Sequence, residues 1–205
     1  MTKTNNIIYL SDNYIYLKNY KHKNIIKYNV AKGIIINNKI ANIKLFNNTL
    51  NNLIKKYKLN NSLFKESITI IINDTYTDVD KFILNNLFES FNYKNIIFIN
   101  ENKTYNLNNN IAYINIKEDN ILLTYIDSYK NINTIYIPSN YYDSIKDLCR
   151  YINNKIGNKE ITLLGYGNLL NDFFNYYEKN YNIAVYLYTN SEFYIIDKYS
   201  KKICI

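Results

Sequence analysis

The chain is poor in the residues that usually mark metal sites, disulfides and tight turns. Its 205 residues include four glycines, one proline, two cysteines, one histidine and no tryptophan. A single histidine, His22, with no cysteine–histidine cluster argues against a zinc site. Cys149 and Cys204 provide no disulfide framework, which fits a reducing cytoplasm. No apolar run approaches the roughly 20 residues of a transmembrane helix. We therefore expect a cytoplasmic protein without a metal site or membrane span.

What the chain does contain is typical of a folded globular protein. Hydrophobic residues make up 47% and charged residues 20% of the sequence, and the formal net charge is +8. Asparagine, isoleucine, lysine and tyrosine are abundant, and these residues share AT-rich codons. Because an AT-rich genome explains scattered lysines as well as nucleic-acid binding does, we do not expect a nucleic-acid partner.

The first half reads as three strands, a helix, a strand, a helix and a strand. An apolar stripe of helical period runs from Leu45 to Tyr57, and a second helix begins at the N-cap Thr77. Its apolar residues are Val79, Phe82, Ile83, Leu87, Phe88 and Phe91, which we expect to be buried. The predicted strands are Ile7–Leu10, Tyr14–Leu17, Asn24–Val30, Ser67–Ile72 and Ile96–Ile99, of which the last two read as buried.

The second half repeats this order after a polar linker at 102–110, so the predicted domains are residues 1–101 and 111–205. One helix starts at Pro138-Ser139 and closes at Gly157, a second spans 168–179, and Phe193–Ile205 reads as a short strand or tail. The predicted strands are Ile111–Ile116, Ile121–Ile126, Thr134–Ile137, 161–164 and 182–188. The fold class is therefore α/β with two βββαβαβ halves, and strands joined by helices imply parallel pairing.

Two of the four glycines, Gly165 and Gly167, stand together between a strand and a helix. A strand-to-helix corner needs glycine either because the backbone takes a positive φ or because another group comes close to it. That group could be an anion, since helix N-termini present free N–H groups. A tight structural turn without a ligand is the favoured interpretation.

The duplicated βββαβαβ arrangement resembles the actin-like ATPase superfamily, in which each half is a ribonuclease-H-like sheet with flanking helices. Three segments are similar to the bacterial actin homologue MreB and its relatives. Residues 33–57 resemble a glycine-led strand and its helix, residues 67–101 resemble the stretch that ends in the family's Ile-Glu-Glu-Pro motif, and residues 161–190 resemble the adenosine-binding segment. The resemblance implies a duplicated ribonuclease-H-like fold, here in a shortened chain.

Both phosphate loops depart from the family pattern. In this family each hairpin holds a glycine-rich loop that wraps phosphates, with an aspartate that positions magnesium. The first hairpin has Tyr9 in place of that aspartate, with Asp12 as a displaced substitute or a simple turn residue. The second has Asn115 in place of the aspartate, and Lys117, Glu118 and Asp119 follow it in place of glycines. The resemblance therefore implies degenerate phosphate loops.

The catalytic glutamate of the family corresponds to Asn100-Glu101. Glu101 would orient a water if the register shifts by one residue, but a solvated loop acid is the favoured interpretation. Only the adenosine turn is retained, as Gly165-Tyr166-Gly167-Asn168. Tyr166 and Asn168 would stack on or bond to a base there, although a structural role for the turn is favoured.

We expect a minimal actin-like protein without catalysis, a pseudo-ATPase that acts through protein contacts in a cytoskeletal, cell-shape or division-related assembly. Self-association and a membrane-associated assembly both stay open, and no cofactor is expected. One alternative is an active Mg-ATP-dependent ATPase or phosphotransferase that uses Asp12, Glu101 and Glu118 or Asp119. A second alternative is a basic ribonuclease-H-like domain that binds nucleic acid and uses its tyrosines for stacking.

Overall fold

Two five-stranded sheets organise the chain. The computed structural model describes residues 6–11, 13–19, 24–36, 39–59, 66–73, 75–117, 120–165 and 167–203. The first compact unit combines Met1–Thr104 with Ile195–Ile205, and the second is Tyr105–Tyr194. A separate linker at 102–110 stays a prediction.

The first unit contains the predicted strands and helices, and the predicted strand after Gly33 forms one side of a small hairpin. Helix α1 spans Ile43–Tyr57, helix α2 spans Asp78–Ser90, and a 3-10 turn follows at Glu101–Thr104. The strands are β1 (Asn6–Ser11), β2 (Tyr14–Asn19), β3 (Ile26–Asn29), β4 (Ile35–Ile36), β5 (Lys39–Ile40), β6 (Glu66–Ile72) and β7 (Tyr93–Asn100).

The first sheet has the order β3-β2-β1-β6-β7. Strand β1 pairs antiparallel with β2 and parallel with β6, and β6 pairs parallel with β7. This confirms the predicted hairpin and the parallel pairing of strands that helices connect. Strand β6 lies inside the sheet, and its residues from Ser67 to Ile72 are buried. A continuous apolar run is typical of such a strand because both of its faces are covered.

Local sequence fixes the two helices of this unit. The side chain of Asn42 accepts a hydrogen bond from the Leu45 N–H at the start of α1. Thr77 and Asp80 form a capping box at the start of α2, which confirms Thr77 as the N-cap. Each helix therefore begins where side chains satisfy its first free N–H groups.

The predicted burial of two segments is only partly correct. On α2, Val79 is 67% and Phe82 is 65% exposed, whereas Leu84, Leu87 and Phe88 are buried. The apolar residues of α2 span more of the helix circumference than one packed face can cover. Strand β7 is an edge strand, and Ile97 is 37% exposed, because neighbouring groups cover an edge strand less completely than a central one.

The second unit repeats the architecture of the first. Its helices are α3 (Ile145–Ile156), α4 (Asn168–Asn180) and α5 (Ser191–Ile203), although α5 continues into the part of the chain that groups with the first unit. Its strands are β8 (Ile111–Ile116), β9 (Asn120–Ile126), β10 (Ile132–Pro138), β11 (Glu160–Gly165) and β12 (Val185–Tyr188).

The second sheet has the order β10-β9-β8-β11-β12, which matches the order in the first sheet. Strand β8 pairs antiparallel with β9 and parallel with β11, and β11 pairs parallel with β12. The core on one side of this sheet contains Leu148, Cys149, Ile152 and Ile156 of α3. The predicted α/β class with two βββαβαβ halves is confirmed.

Two predictions for the second unit are wrong. Pro138 ends strand β10, and α3 begins after Ser144, whose side chain accepts a hydrogen bond from the Asp147 N–H. Proline is compatible with the end of an edge strand as well as with a helix start, so the sequence alone did not separate the two. The final segment is a helix, α5, rather than a short strand or tail, and Ile195 and Ile196 are its fully buried residues.

Candidate functional site

The first hairpin carries a buried tyrosine where the family resemblance places an aspartate. Tyr9 lies near the carboxyl end of β1 and is 3% exposed. Its hydroxyl donates a hydrogen bond to Oε2 of Glu101 at 3.1 Å. Asp12, the other acidic residue considered for this hairpin, lies outside the described residues.

Glu101 is buried, so its interpretation as a solvated loop acid is wrong. It follows β7 directly, opens the 3-10 turn and is 1% exposed. The Thr104 hydroxyl donates to the Glu101 carbonyl oxygen at 2.6 Å within this turn. Because β1, β6 and β7 are parallel neighbours, their carboxyl ends lie at one edge of the sheet, which brings Glu101 to Tyr9. The strand order implied by the resemblance also places the ends of β1 and β7 at the same edge, so the contact between Tyr9 and Glu101 could have been predicted.

The second hairpin holds a buried amide at the corresponding position. Asn115 on β8 is fully buried, and its Nδ2 lies 3.5 Å from the hydroxyl of Tyr105, to which it donates. The Tyr105 ring stacks on that of Tyr113 with 4.6 Å between centroids. Glu118 and Asp119 lie outside the described residues.

A group of neighbouring tyrosines includes the hydrogen-bond partner of Asn115, and no sequence pattern indicated this group. Its members are Tyr105, Tyr113, Tyr188 and Tyr194. The Tyr194 hydroxyl lies 3.5 Å from that of Tyr113, and the ring of Tyr194 lies 4.4 Å from that of Tyr188. Burial, together with the hydrogen bond to Tyr113, raises the pKa of Tyr194. Tyr194 belongs to α5, the helix that the sequence pattern did not predict, so its place beside Tyr113 could not be foreseen.

The glycine turn has a structural explanation. Gly165 has a φ of +137°, and a Cβ placed on it would lie 2.3 Å from the backbone carbonyl oxygen of Ile116. The sequence analysis considered that another group comes close to the backbone of this turn. That group is the backbone of strand β8, the parallel neighbour of β11. Gly167 has a φ of +85° with open space around it and is the N-cap of α4.

The remaining members of the predicted adenosine turn are Tyr166 and Asn168. Tyr166 lies outside the described residues, and Asn168 is the exposed first residue of α4. Their role toward a base stays a prediction. The N-cap Gly167 supplies no side-chain hydrogen bond to the start of α4.

The described residues do not supply the carboxylates that the family resemblance associates with magnesium. Tyr9 and Asn115 occupy the two aspartate positions, and both are neutral side chains held in buried hydrogen bonds. Across this part of the chain, no cluster of three or more histidine, cysteine, aspartate or glutamate side chains is arranged to hold a metal ion. No helix within the described residues is long and apolar enough to cross a membrane.

Comparison with known proteins identifies similar structures but no similar sequence family. No protein-family model and no curated protein sequence matches the chain. The structure is similar to that of MreB5 of Spiroplasma citri bound to ADP, with a TM-score of 0.64 and 11% identity over 97% of this chain and 96% of that one. MreB5 has also been solved bound to AMPPNP.

Two further solved structures have the same architecture. The ethanolamine utilization protein EutJ of Carboxydothermus hydrogenoformans matches with a TM-score of 0.61 and 8% identity, over 93% of this chain and 86% of that one. A Bacteroides thetaiotaomicron protein with an actin-like ATPase fold matches with a TM-score of 0.53 and 12% identity, over 100% of this chain and 97% of that one. The chain therefore resembles the actin-like ATPase superfamily and has its fold.

Proposed function

We propose that the protein is an actin-like pseudo-ATPase that works without hydrolysing ATP. In this proposal it acts through protein contacts in a cytoplasmic assembly of a cytoskeletal, cell-shape or division-related kind. The observation that carries the proposal is the hydrogen bond from Tyr9 to the buried carboxylate of Glu101.

The Tyr9–Glu101 contact bears directly on hydrolysis. A glutamate that orients an attacking water must offer a carboxylate oxygen to that water. Oε2 of Glu101 accepts from the Tyr9 hydroxyl instead, and the residue is 1% exposed. In the family resemblance Tyr9 also stands where an aspartate would hold magnesium and its waters. The same side chain therefore takes the place of a metal ligand and engages Glu101, which corresponds to the family's glutamate if the register shifts by one residue.

The second hairpin supports the same proposal. Magnesium prefers carboxylate oxygens and water as ligands. Asn115 supplies a neutral amide, and that amide is fully buried against Tyr105. The described residues of both hairpins thus make buried hydrogen bonds that stabilise the fold, and they offer no carboxylate to the magnesium ion of a bound triphosphate.

The test measures hydrolysis, binding and assembly in the same samples. Purified protein is incubated with Mg-ATP, Mg-ADP or no nucleotide, then assayed for phosphate release, thermal unfolding and sedimentation. We expect phosphate release no faster than that of the Glu101→Gln variant. We also expect the sedimented fraction to be the same with and without nucleotide. A Tyr9→Phe variant is the matched control. It removes only the hydroxyl and so frees Oε2 of Glu101, but it restores no magnesium ligand, so it should also be inactive.

Hydrolysis that Glu101→Gln abolishes would contradict the proposal. Hydrolysis that is lost in Asp12→Ala and Asp119→Ala would instead identify the active ATPase that the acidic hairpin residues predict. A ligand present at a hundredfold excess over its Kd raises stability by about 2.7 kcal/mol, so the thermal measurement also detects binding without turnover.

A further inference from the structure

The positive charge of the protein is concentrated in one unit. Residues 1–104 and 195–205 carry 18 lysines and 8 acidic residues, a net charge of +10, whereas residues 105–194 carry 7 basic and 9 acidic residues, a net charge of −2. The lysines are spread along the chain, but the acids that would neutralise them are not. Residues 13–65 contain 11 lysines and no aspartate or glutamate. Codon bias acts on both units, so it does not explain this difference.

This acid-free segment supplies several elements of the first unit. It contains β2, the edge strand β3, the β4–β5 hairpin and α1. Acids from elsewhere reach two of its lysines, as Asp197 pairs with Lys18 and Asp80 pairs with Lys39. Six other lysines form no ion pair with a described carboxylate, and these are Lys27, Lys32, Lys44, Lys55, Lys56 and Lys58.

Tyrosine rings hold two of these lysines in place. The Lys27 ammonium lies 3.7 Å from the ring centroid of Tyr14, and the Lys56 ammonium lies 5.4 Å from that of Tyr57. A cation over an aromatic face is an attractive arrangement, so these ammonium groups are partly ordered before a partner binds. The same arrangement covers one face of each ring, which reduces the surface available for stacking on a nucleic-acid base.

Exposed aliphatic side chains lie on the same segment. Ile36 of the β4–β5 hairpin is 52% exposed, and Ile43 and Leu45 in the first turn of α1 are 49% and 47% exposed. Among the helices described, α1 alone contains no acidic residue. Phosphate groups gain nothing from aliphatic contacts, whereas protein interfaces combine an apolar centre with a polar rim.

We propose that this surface binds an acidic segment of a partner protein that also carries aliphatic side chains. We call the six lysines above, together with Ile36, Ile43 and Leu45, the basic surface. On α1, which turns once every 3.6 residues, Ile43 and Leu45 lie on either side of the exposed face that carries Lys44 and Lys55. Helix α1 has 15 residues, which corresponds to about 22 Å at 1.5 Å per residue, so the complementary segment is about four helical turns long. The inference deepens the proposed function, because it names the chemistry of the protein partner.

The test compares labelled probes of similar length and charge. One probe is an acidic peptide of about 16 residues with leucines at helical spacing, matched to four α-helical turns. The other probes are an all-glutamate peptide, a thymidine oligonucleotide and vesicles that contain phosphatidylglycerol. We expect the leucine-containing acidic peptide to bind most tightly, with an affinity that falls as salt is added.

Two charge-reversal variants form a matched pair. The first variant, Lys44→Glu/Lys56→Glu, changes one lysine at the second residue of α1 and one in its last turn. The second variant, Lys146→Glu/Lys155→Glu, changes the lysines at the corresponding positions of α3. Lys155 also lies over a tyrosine ring, with 5.6 Å to the centroid. We expect the α1 pair to weaken peptide binding about tenfold or more and the α3 pair to change it less than about twofold, because attraction between surface charges is short-ranged in salt.

A third variant tests the aliphatic part of the surface. Ile36→Ser/Ile43→Ser should remove the preference for the leucine-containing peptide over the all-glutamate peptide while leaving the salt dependence unchanged. Equal weakening by the α1 and α3 pairs would overturn the inference, as would absence of peptide binding. Oligonucleotide or vesicle binding that is as tight as peptide binding would overturn it too. No nucleotide is present in these samples, so ATP hydrolysis by the protein would refute the proposed function without affecting this result.

Discussion

The Gly165→Ala substitution tests whether the glycine turn serves the fold. Gly165 pairs with Ile116 across the parallel strands β11 and β8, and its φ is +137°. An added Cβ would lie 2.3 Å from the Ile116 carbonyl oxygen and 3.1 Å from its carbonyl carbon. Both contacts are with backbone atoms, so no side-chain rotation relieves them, and the two strands must separate.

The expected loss of stability has two parts. A non-glycine residue in an unfavourable backbone conformation costs about 1–3 kcal/mol. Forcing an extra carbon into a packed interior costs about 1–3 kcal/mol more. We therefore expect Gly165→Ala to reduce the free energy of unfolding by about 2–6 kcal/mol, a large share of the 5–15 kcal/mol that holds a typical domain together.

Gly167→Ala is the matched control for this substitution. Its φ of +85° also disfavours alanine, but no atom lies within 4 Å of the added Cβ, so only the backbone cost of about 1–3 kcal/mol applies. Urea unfolding followed by circular dichroism compares the two variants. If Gly165→Ala is no less stable than Gly167→Ala, the approach of β8 does not explain the glycine, and a role in admitting a ligand regains support.

Three further predictions concern buried or ion-paired groups. Burial raises the pKa of the Cys149 thiol to about 12, so in a Cys204→Ser protein this thiol should not react with a disulfide reagent at pH 8 until urea is added. Reaction of the folded protein would contradict the burial. The Tyr177 hydroxyl donates to the Cys149 carbonyl oxygen at 3.2 Å, and Tyr177→Phe should lower the free energy of unfolding by about 1 kcal/mol in urea titrations. An unchanged urea midpoint would show that this bond contributes nothing. Burial alone would raise the pKa of Asp80, but hydrogen bonds, led by that from Lys39, lower it below 3.8. The stability that its ionised form contributes is fully present above pH 3.8 and is lost as the pH falls through the lower folded pKa. The difference in unfolding free energy between wild type and Asp80→Asn should therefore shrink in acid, and a constant difference from pH 7 to pH 2 would refute the assignment.

Much of the candidate site could be located from sequence, but its chemistry could not. The resemblance identified Tyr9 and Asn115 as the residues that replace the family's aspartates, and Glu101 as the candidate counterpart of its catalytic glutamate. The structure then showed that Glu101 is buried against Tyr9, and that a backbone carbonyl of β8 fills the space beside Gly165. Both results depend on contacts between residues far apart in the chain, and local patterns carry little information about such contacts.

The sequence by itself determined the order of strands and helices through β12. Apolar periodicity and capping residues such as Thr77 act over a few neighbouring residues. The local sequence is therefore sufficient to indicate where a helix or strand forms. Only the tertiary structure decided which apolar positions are covered, as the exposure of Val79 and Phe82 demonstrates. It also decided that the last segment forms α5, with Ile195 and Ile196 fully buried. The physical reason is that a side chain is buried only when a second surface covers it. The local sequence of a segment specifies only one of those two surfaces.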